Sequence, residues 1–113
     1  MTSPLRGEIW MADLDPTRGH EQAGTRPGLV VSSDGFNASP AGLVIILPLT
    51  SQEKGIRSHV AVSPPEGGLR KRSFIKCEDI RSISVERLTR RVGRVSPETM
   101  AAVAFRLRIL IEL

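Results

Sequence analysis

The sequence predicts a mainly β domain of the α+β class: a small, strongly bent sheet or barrel with one C-terminal α-helix. Three observations predict it. Short apolar and β-branched runs recur between glycine- and proline-rich breaks. A single amphipathic helical pattern follows Ser96 at the end of the chain. At 113 residues the chain suits one domain, 1–113, with a core that needs no staples.

Gly7–Leu14 alternates polar and apolar residues, the period of a half-buried strand, and Asp15-Pro16-Thr17 ends it. Residues 15–25 then form a long connection for so small a domain. Gly28–Ser33 reads as a second strand, almost wholly apolar and therefore central. Asp34-Gly35-Phe36-Asn37 is a turn or a single helical turn. Leu43–Leu49 is a third strand, and Pro48, lacking an N–H, predicts an edge or a bulge there.

A polar loop, Thr50–Gly55, precedes a short strand at His59–Val62, and Pro64–Gly68 must turn. Ser73–Cys77, Ile80–Ser84 and Arg90–Val95 are further strand pieces. Ser96 is a good N-cap, Pro97 fits the first helical position, and Glu98 complements the helix dipole. Met100, Val103, Leu107, Leu110 and Ile111 recur at helical spacing, and Phe105 and Ile109 widen that face. Such a helix packs on a sheet; its extra apolar width could also reach a second subunit.

Composition narrows the functional classes. The single Cys77 rules out an internal disulfide and a Cys-rich zinc site. With only His20 and His59 besides, neither a metal nor a cofactor is expected. A lone thiol fits a reducing cytoplasm. No run approaches the ~18 apolar residues of a membrane span and no apolar leader opens the chain, so a soluble, unexported, cytoplasmic protein is expected. The net charge of +4 favours an anionic partner, nucleic acid or an acidic protein segment. Trp10 and three Phe are too few for base stacking along a row of aromatics.

Residues 18–27 are polar, glycine-punctuated and dense in proton-binding groups, and they run straight into the apolar strand. Pro27 biases Arg26 towards an extended backbone at the mouth of that strand. Thr50 ends the third strand beside another polar loop. If the two strands share a sheet, a guanidinium fork and a hydroxyl converge at one rim, a natural phosphate clamp.

These residues stand in an order that resembles the MazF/PemK toxins, the endoribonuclease half of bacterial toxin–antitoxin pairs. The match runs through Gly7-Glu8-Ile9-Trp10, then Asp13-Leu14-Asp15-Pro16-Thr17-Arg18-Gly19-His20-Glu21-Gln22-Ala23-Gly24-Thr25-Arg26-Pro27. It continues through Leu29-Val30-Val31-Ser32, Phe36-Asn37, Pro48-Leu49-Thr50-Ser51, Gly68-Leu69-Arg70-Lys71-Arg72-Ser73, Ile80-Arg81 and Arg87-Leu88. Where many relatives read Asp-Gln-Ile-Arg, this chain has Glu78-Asp79-Ile80-Arg81, a departure that bears on sequence specificity. The resemblance implies an SH3-like β-barrel of the MazF/PemK/CcdB type with a C-terminal helix, and a symmetric homodimer. It also implies metal-independent cleavage of single-stranded RNA, and a cognate MazE-like antitoxin with an acidic C-terminal tail. The family's catalytic Arg and Thr fall on Arg26 and Thr50.

Metal-free RNA cleavage uses the 2′-OH as internal nucleophile and leaves a 2′,3′-cyclic phosphate and a 5′-OH. The enzyme must orient the attack, stabilise the crowded phosphate and move two protons. Arg26 suits the charge but, as a guanidinium, is a poor base. Thr50 would hold a phosphate oxygen. His20 and Glu21 are candidate bases; His20 could equally be a loop residue contacting backbone. Glu21 and Gln22 can brace the loop by hydrogen bonds, and Ser51 adds a supporting hydroxyl beside Thr50. His59, on its strand, is expected to be structural.

Candidate RNA contacts are Arg18, Gln52, Lys54, Arg70, Lys71, Arg81 and Arg87. The clusters Arg70-Lys71-Arg72 and Arg87, Arg90, Arg91, Arg94 are a solvated face, a phosphate-binding surface or a seat for an acidic antitoxin tail. Two other classes compete. A gyrase poison like the CcdB relatives would carry an aromatic-bearing tail, whereas this chain ends Leu110-Ile111-Glu112-Leu113. A plain SH3-like binding module would not need the Glu21-to-Pro27 motif.

Overall fold

The computed structural model describes residues 3–14 and 24–113. Its seven strands are β1 (Glu8–Asp13), β2 (Thr25–Val30), β3 (Leu43–Thr50), β4 (His59–Val62), β5 (Ser73–Lys76), β6 (Arg81–Ser84) and β7 (Leu88–Arg94). Two α-helices, α1 (Asp34–Asn37) and α2 (Pro97–Ile111), and three single 3-10 turns complete the described residues. The strands form one antiparallel sheet in the order β4-β5-β3-β2-β1-β7, with β6 also on β3. The class matches the mainly β, α+β expectation. The sheet is barrel-like but not closed, since β4 and β7 end the path without pairing each other. No described helix is long and apolar enough to cross a membrane.

β3 organises the sheet. Its residues pair β6 from Leu43 to Ile46, β2 from Ile46 to Pro48, and β5 at Leu49 and Thr50. The edge or bulge expected at Pro48 is therefore corrected, because the proline sits in a central strand. Val31 N donates to Ile45 O at 3.0 Å, so Ile45 turns its polar groups towards the β2 side. By alternation Pro48 turns its missing N–H to the opposite edge. There the pairing with β6 stops at Ile46–Arg81, and the pairing with β5 starts at Leu49–Ile75. The gap between the two partners removes the need for that donor.

Burial on both faces explains the continuous apolar runs of β2 and β3. Ile9, Leu29, Leu47, Leu49 and Ile75 pack with Val103 of α2 in one core. Ala12, Leu14, Val30, Val44, Ile46 and Leu88 form a second core on the other face. β2 begins at Thr25 and ends at Val30, earlier than the expected Gly28–Ser33, because Ser33 is given over to capping α1 through its Oγ, which accepts from Phe36 N at 3.2 Å. β7 likewise starts at Leu88, before the expected Arg90.

α2 starts as expected. Ser96 Oγ accepts from Thr99 N at 3.1 Å, and Pro97 occupies the first turn. Glu66 reaches across from the turn before β5. Its Oε2 accepts from Ser96 N at 3.0 Å and Ser96 Oγ at 3.2 Å, and also from the Thr99 hydroxyl. The apolar face differs from expectation. Val103 is buried, and Met100 and Leu107 are half-buried against the first core, but Leu110 and Ile111 are exposed with Phe105 and Ile109. The helix runs past the core after about three turns, so its last apolar residues are largely uncovered by the described residues.

Candidate active site and basic groove

Strand pairing sets a row of side chains on the second-core face. Arg26 faces Ala12 of β1, Thr50 faces Phe74 of β5, and Phe74 faces Ala61 of β4. Gly28 faces Pro48, the last pair of the β2–β3 register, and Arg26 and Thr50 each lie two residues beyond it on the same face of their strands. Arg26 is exposed and extended, as Pro27 requires; Thr50 is half-buried, and its Oγ1 accepts from Gln52 N at 3.2 Å. The structure thus brings the expected guanidinium and hydroxyl to one rim. Ser51, Gln52 and Lys54 are exposed in the loop beyond it. Arg18, His20, Glu21 and Gln22 lie outside the described residues.

Beside this row is a cavity of about 200 Å³ lined by Glu53, His59, Ala61, Arg72 and Phe74. The Arg72 guanidinium carbon stands 4.9 Å from the Phe74 ring centre, and its Nη1 is 3.0 Å from Glu53 Oε1. An aromatic face, a stacked guanidinium and a carboxylate are the groups that hold a planar base.

A network that the sequence reading did not anticipate lies behind it. His59 is buried, with Nε2 2.9 Å from Glu78 Oε2, while Ser58 Oγ donates to Glu78 Oε1 at 2.6 Å. Burial works against ionisation of Glu78, but the Ser58 and His59 hydrogen bonds outweigh it and hold the carboxyl below its ordinary range. His59 Nδ1 has no partner among the described residues. Adjacent in sequence, Cys77 is buried, and burial pushes its thiol up to about 11, which leaves it unreactive. The one legible signal for this network was the departure Glu78-Asp79.

The basic residues separate into two sets. Arg81 Nη2 donates to both Asp79 oxygens at 2.8 and 2.7 Å, and Lys76 Nζ lies 3.6 Å from the same carboxylate. Arg81 is therefore held inside the fold, although the sequence placed it among the RNA contacts. Arg91 Nε pairs with Glu8 Oε2 at 2.6 Å. Burial disfavours the Glu8 carboxylate, but donors from Leu5 N, Arg91 and Trp10 keep its pKa below the usual value.

Arg70 and Lys71 are exposed and rim a groove of about 360 Å³ together with Arg90. The groove also takes in Pro27, which points to the opposite face of β2 from Arg26. Sequence placed Arg70 and Lys71 in one RNA-binding set with the Arg26 loop; the structure places them across the strand from it. Arg87 is half-buried in the turn before β7.

This fold, an open antiparallel barrel with Arg26 and Thr50 past one end of the β2–β3 ladder and a groove rimmed by Arg70, Lys71 and Arg90, defines a small basic β-barrel protein. The chain belongs to the PemK-like, MazF-like toxins of type II toxin–antitoxin systems, whose family model matches residues 5–111. It is 40% identical to the endoribonuclease MazF9 of Mycobacterium tuberculosis, over 96% of each chain. Its fold matches the crystal structure of MazF from Deinococcus radiodurans with a TM-score of 0.87, at 27% identity over 98% of each chain. MazF in the MazE–MazF complex of the same organism matches at a TM-score of 0.80 and 28% identity, over 98% of this chain and 97% of that one.

Proposed function

We propose that this chain is a cytoplasmic endoribonuclease toxin that cuts single-stranded RNA at short sequence motifs by metal-independent attack of a 2′-OH on the adjacent phosphate. The single observation that carries the reading is the Gly28–Pro48 pairing of β2 and β3, with Arg26 and Thr50 each two residues beyond it on those strands. In this reading the phosphate sits across the strand pair. The Arg26 fork takes two non-bridging oxygens and neutralises the charge that builds in the transition state. Thr50 already accepts the Gln52 amide, which orients its hydroxyl to donate to a phosphate oxygen. The neighbouring cavity at Phe74 and Arg72 takes a flanking base. Membership of the toxin family and the endoribonuclease relatives support the activity. The products carry a 2′,3′-cyclic phosphate and a 5′-OH.

The same reading gives the protein two partners. One is a second copy of the chain, which would cover the exposed apolar end of α2, where Phe105 and Ile109 are 60% and 62% accessible. The other is a cognate antitoxin with an acidic tail, in keeping with the MazE–MazF relative and the net charge of +4. Sequencing RNA 5′ ends after a brief induction of the protein tests the activity. New 5′ ends clustered at one short motif are expected. An unchanged 5′-end population in cells that still arrest would point to a non-nuclease target.

A further inference from the structure

We infer that Glu53 is the residue that chooses the base next to the cut, and that the base it chooses is guanine, read through its N1–H and N2–H donors. The inference rests on the nuclease reading above and names what the cavity beside Thr50 selects.

Strand pairing puts that cavity one strand away from Thr50. Thr50 pairs with Phe74 on β5, and Phe74 pairs with Ala61 on β4. The three residues form a row on one face, and directly paired side chains stand about 5 Å apart. Phe74 and Ala61 line the cavity, which at about 200 Å³ has room for a single base. A phosphate held by Thr50 therefore has the cavity within reach of a base on a neighbouring sugar.

The cavity is firm at the back and polar at the mouth. His59 closes it from behind, its ring fixed by the 2.9 Å contact between Nε2 and Glu78 Oε2. Phe74, Ala61 and Ile56 supply apolar walls. Arg72 lies over the Phe74 ring at 4.9 Å and offers an incoming base its outer guanidinium face. Every base has a face that stacks, so this surface holds a base without choosing one.

The choice falls to Glu53. Arg72 Nη1 donates to Glu53 Oε1 at 3.0 Å, which anchors the carboxylate in the cavity lining. An ionised carboxylate only accepts, and it keeps lone pairs for further donors on both oxygens. Guanine carries two adjacent N–H donors on its Watson–Crick edge, a match for two carboxylate oxygens. Cytosine and adenine offer one amino group beside a ring acceptor. Uracil offers N3–H between two carbonyl oxygens, which the carboxylate repels. The Glu53 and Arg72 side chains are 63% and 52% exposed, and an ion pair so open adds little to folding. Its place in the cavity is then better explained by a ligand than by stability.

Single-turnover cleavage by the full chain tests this, once 5′-end sequencing has given the motif. The motif should carry G at one of the two nucleotides flanking the cut. Inosine there, which lacks only the N2 amino group, should slow the wild type about tenfold. Glu53→Ala should cut the G and inosine strands at equal rates, and its preference for G over A should fall about ten- to a hundredfold. Independently, guanosine 5′-monophosphate should shift the amides of Gly55, Ala61 and Phe74 in 15N-labelled chain, and uridine 5′-monophosphate should bind about tenfold more weakly. A motif with no G at either flanking nucleotide overturns the inference and leaves the nuclease reading standing. So does a wild type indifferent to inosine, or a Glu53→Ala protein that discriminates as before. A chain that binds guanosine monophosphate in the cavity but cuts no RNA keeps the pocket and sinks the nuclease reading, so the two failures are distinguishable.

Discussion

Gly28 faces Pro48 across β2 and β3, and this pairing fixes where the next functional residues on each strand fall. Gly28 leaves no side chain between the strands, and a Cβ there would meet Ile46 Cδ1 at 3.1 Å. Two residues on, Arg26 and Thr50 share the same face. Replacing either should leave the core intact, because Arg26 is exposed and Thr50 only half-buried. Arg26→Ala and Thr50→Ala should each slow cleavage about 100- to 1,000-fold, the usual cost of one oxyanion donor. Arg26→Lys should recover little, since a point charge does not reproduce the planar fork. Single-turnover assays on folded variants check this; activity within a few-fold of wild type would remove these residues from the chemistry.

How far the site was legible depended on sequence distance. Arg26-Pro27 and Thr50 sit at the ends of apolar runs, so local pattern located both. Their mutual position needed only that the runs be neighbours. The capping of α2 by Ser96 was local and readable too. Pro48 was misjudged because its tolerance comes from a gap between β5 and β6, a tertiary fact with no local signature. The extent of α2's buried face was likewise hidden, since helical spacing gives a stripe but not where the sheet beneath it ends. The His59–Glu78–Ser58 network joins residues about 20 apart that carry no motif.

The contact between the 67–68 turn and β7 should be intolerant of any side chain. Gly93→Ala forces a methyl against the Gly67 carbonyl, and Gly68→Ala one against Val92 O. Each should cost about 1–3 kcal/mol or more by urea melting. Gly35 in α1 is the control, with nothing within 4 Å of a Cβ. Gly35→Ala should be neutral or slightly stabilising. Equal midpoints for all three variants would contradict that contact.

Glu66 ties the turn before β5 to the start of α2, and its pKa is held below the ordinary 4.5 by the Thr99 hydroxyl and the Ser96 amide, against a smaller effect of burial. A carboxyl depressed in the folded state stabilises fully above its unfolded pKa and loses that contribution as pH falls through the folded value. Wild type should therefore lose stability between about pH 5 and pH 3, and Glu66→Gln should flatten part of that slope. Ser96→Ala should cost about 1 kcal/mol at neutral pH through loss of the cap. Thermal melts across that range test both, and parallel curves for wild type and Glu66→Gln would rule out the linkage.

The uncovered end of α2 predicts self-association. Sedimentation equilibrium at micromolar concentration should give about twice 12.3 kDa, and Ile109→Glu should move the population towards monomer. A wild-type monomer throughout that range would leave the apolar end of α2 without its expected partner.

The central claim, that the Arg26–Thr50 rim serves an internal 2′-OH nucleophile, has one direct measurement. The protein is given a short RNA containing its cleavage motif, and the same RNA with a single 2′-deoxy sugar 5′ to the cut. Both are followed in EDTA with product ends identified by mass. The account predicts cleavage of the all-ribose strand to a 2′,3′-cyclic phosphate and a 5′-OH, and no cleavage of the deoxy strand at that position. Undiminished cutting of the deoxy strand would contradict it, and would require water as nucleophile and a different set of groups to activate it.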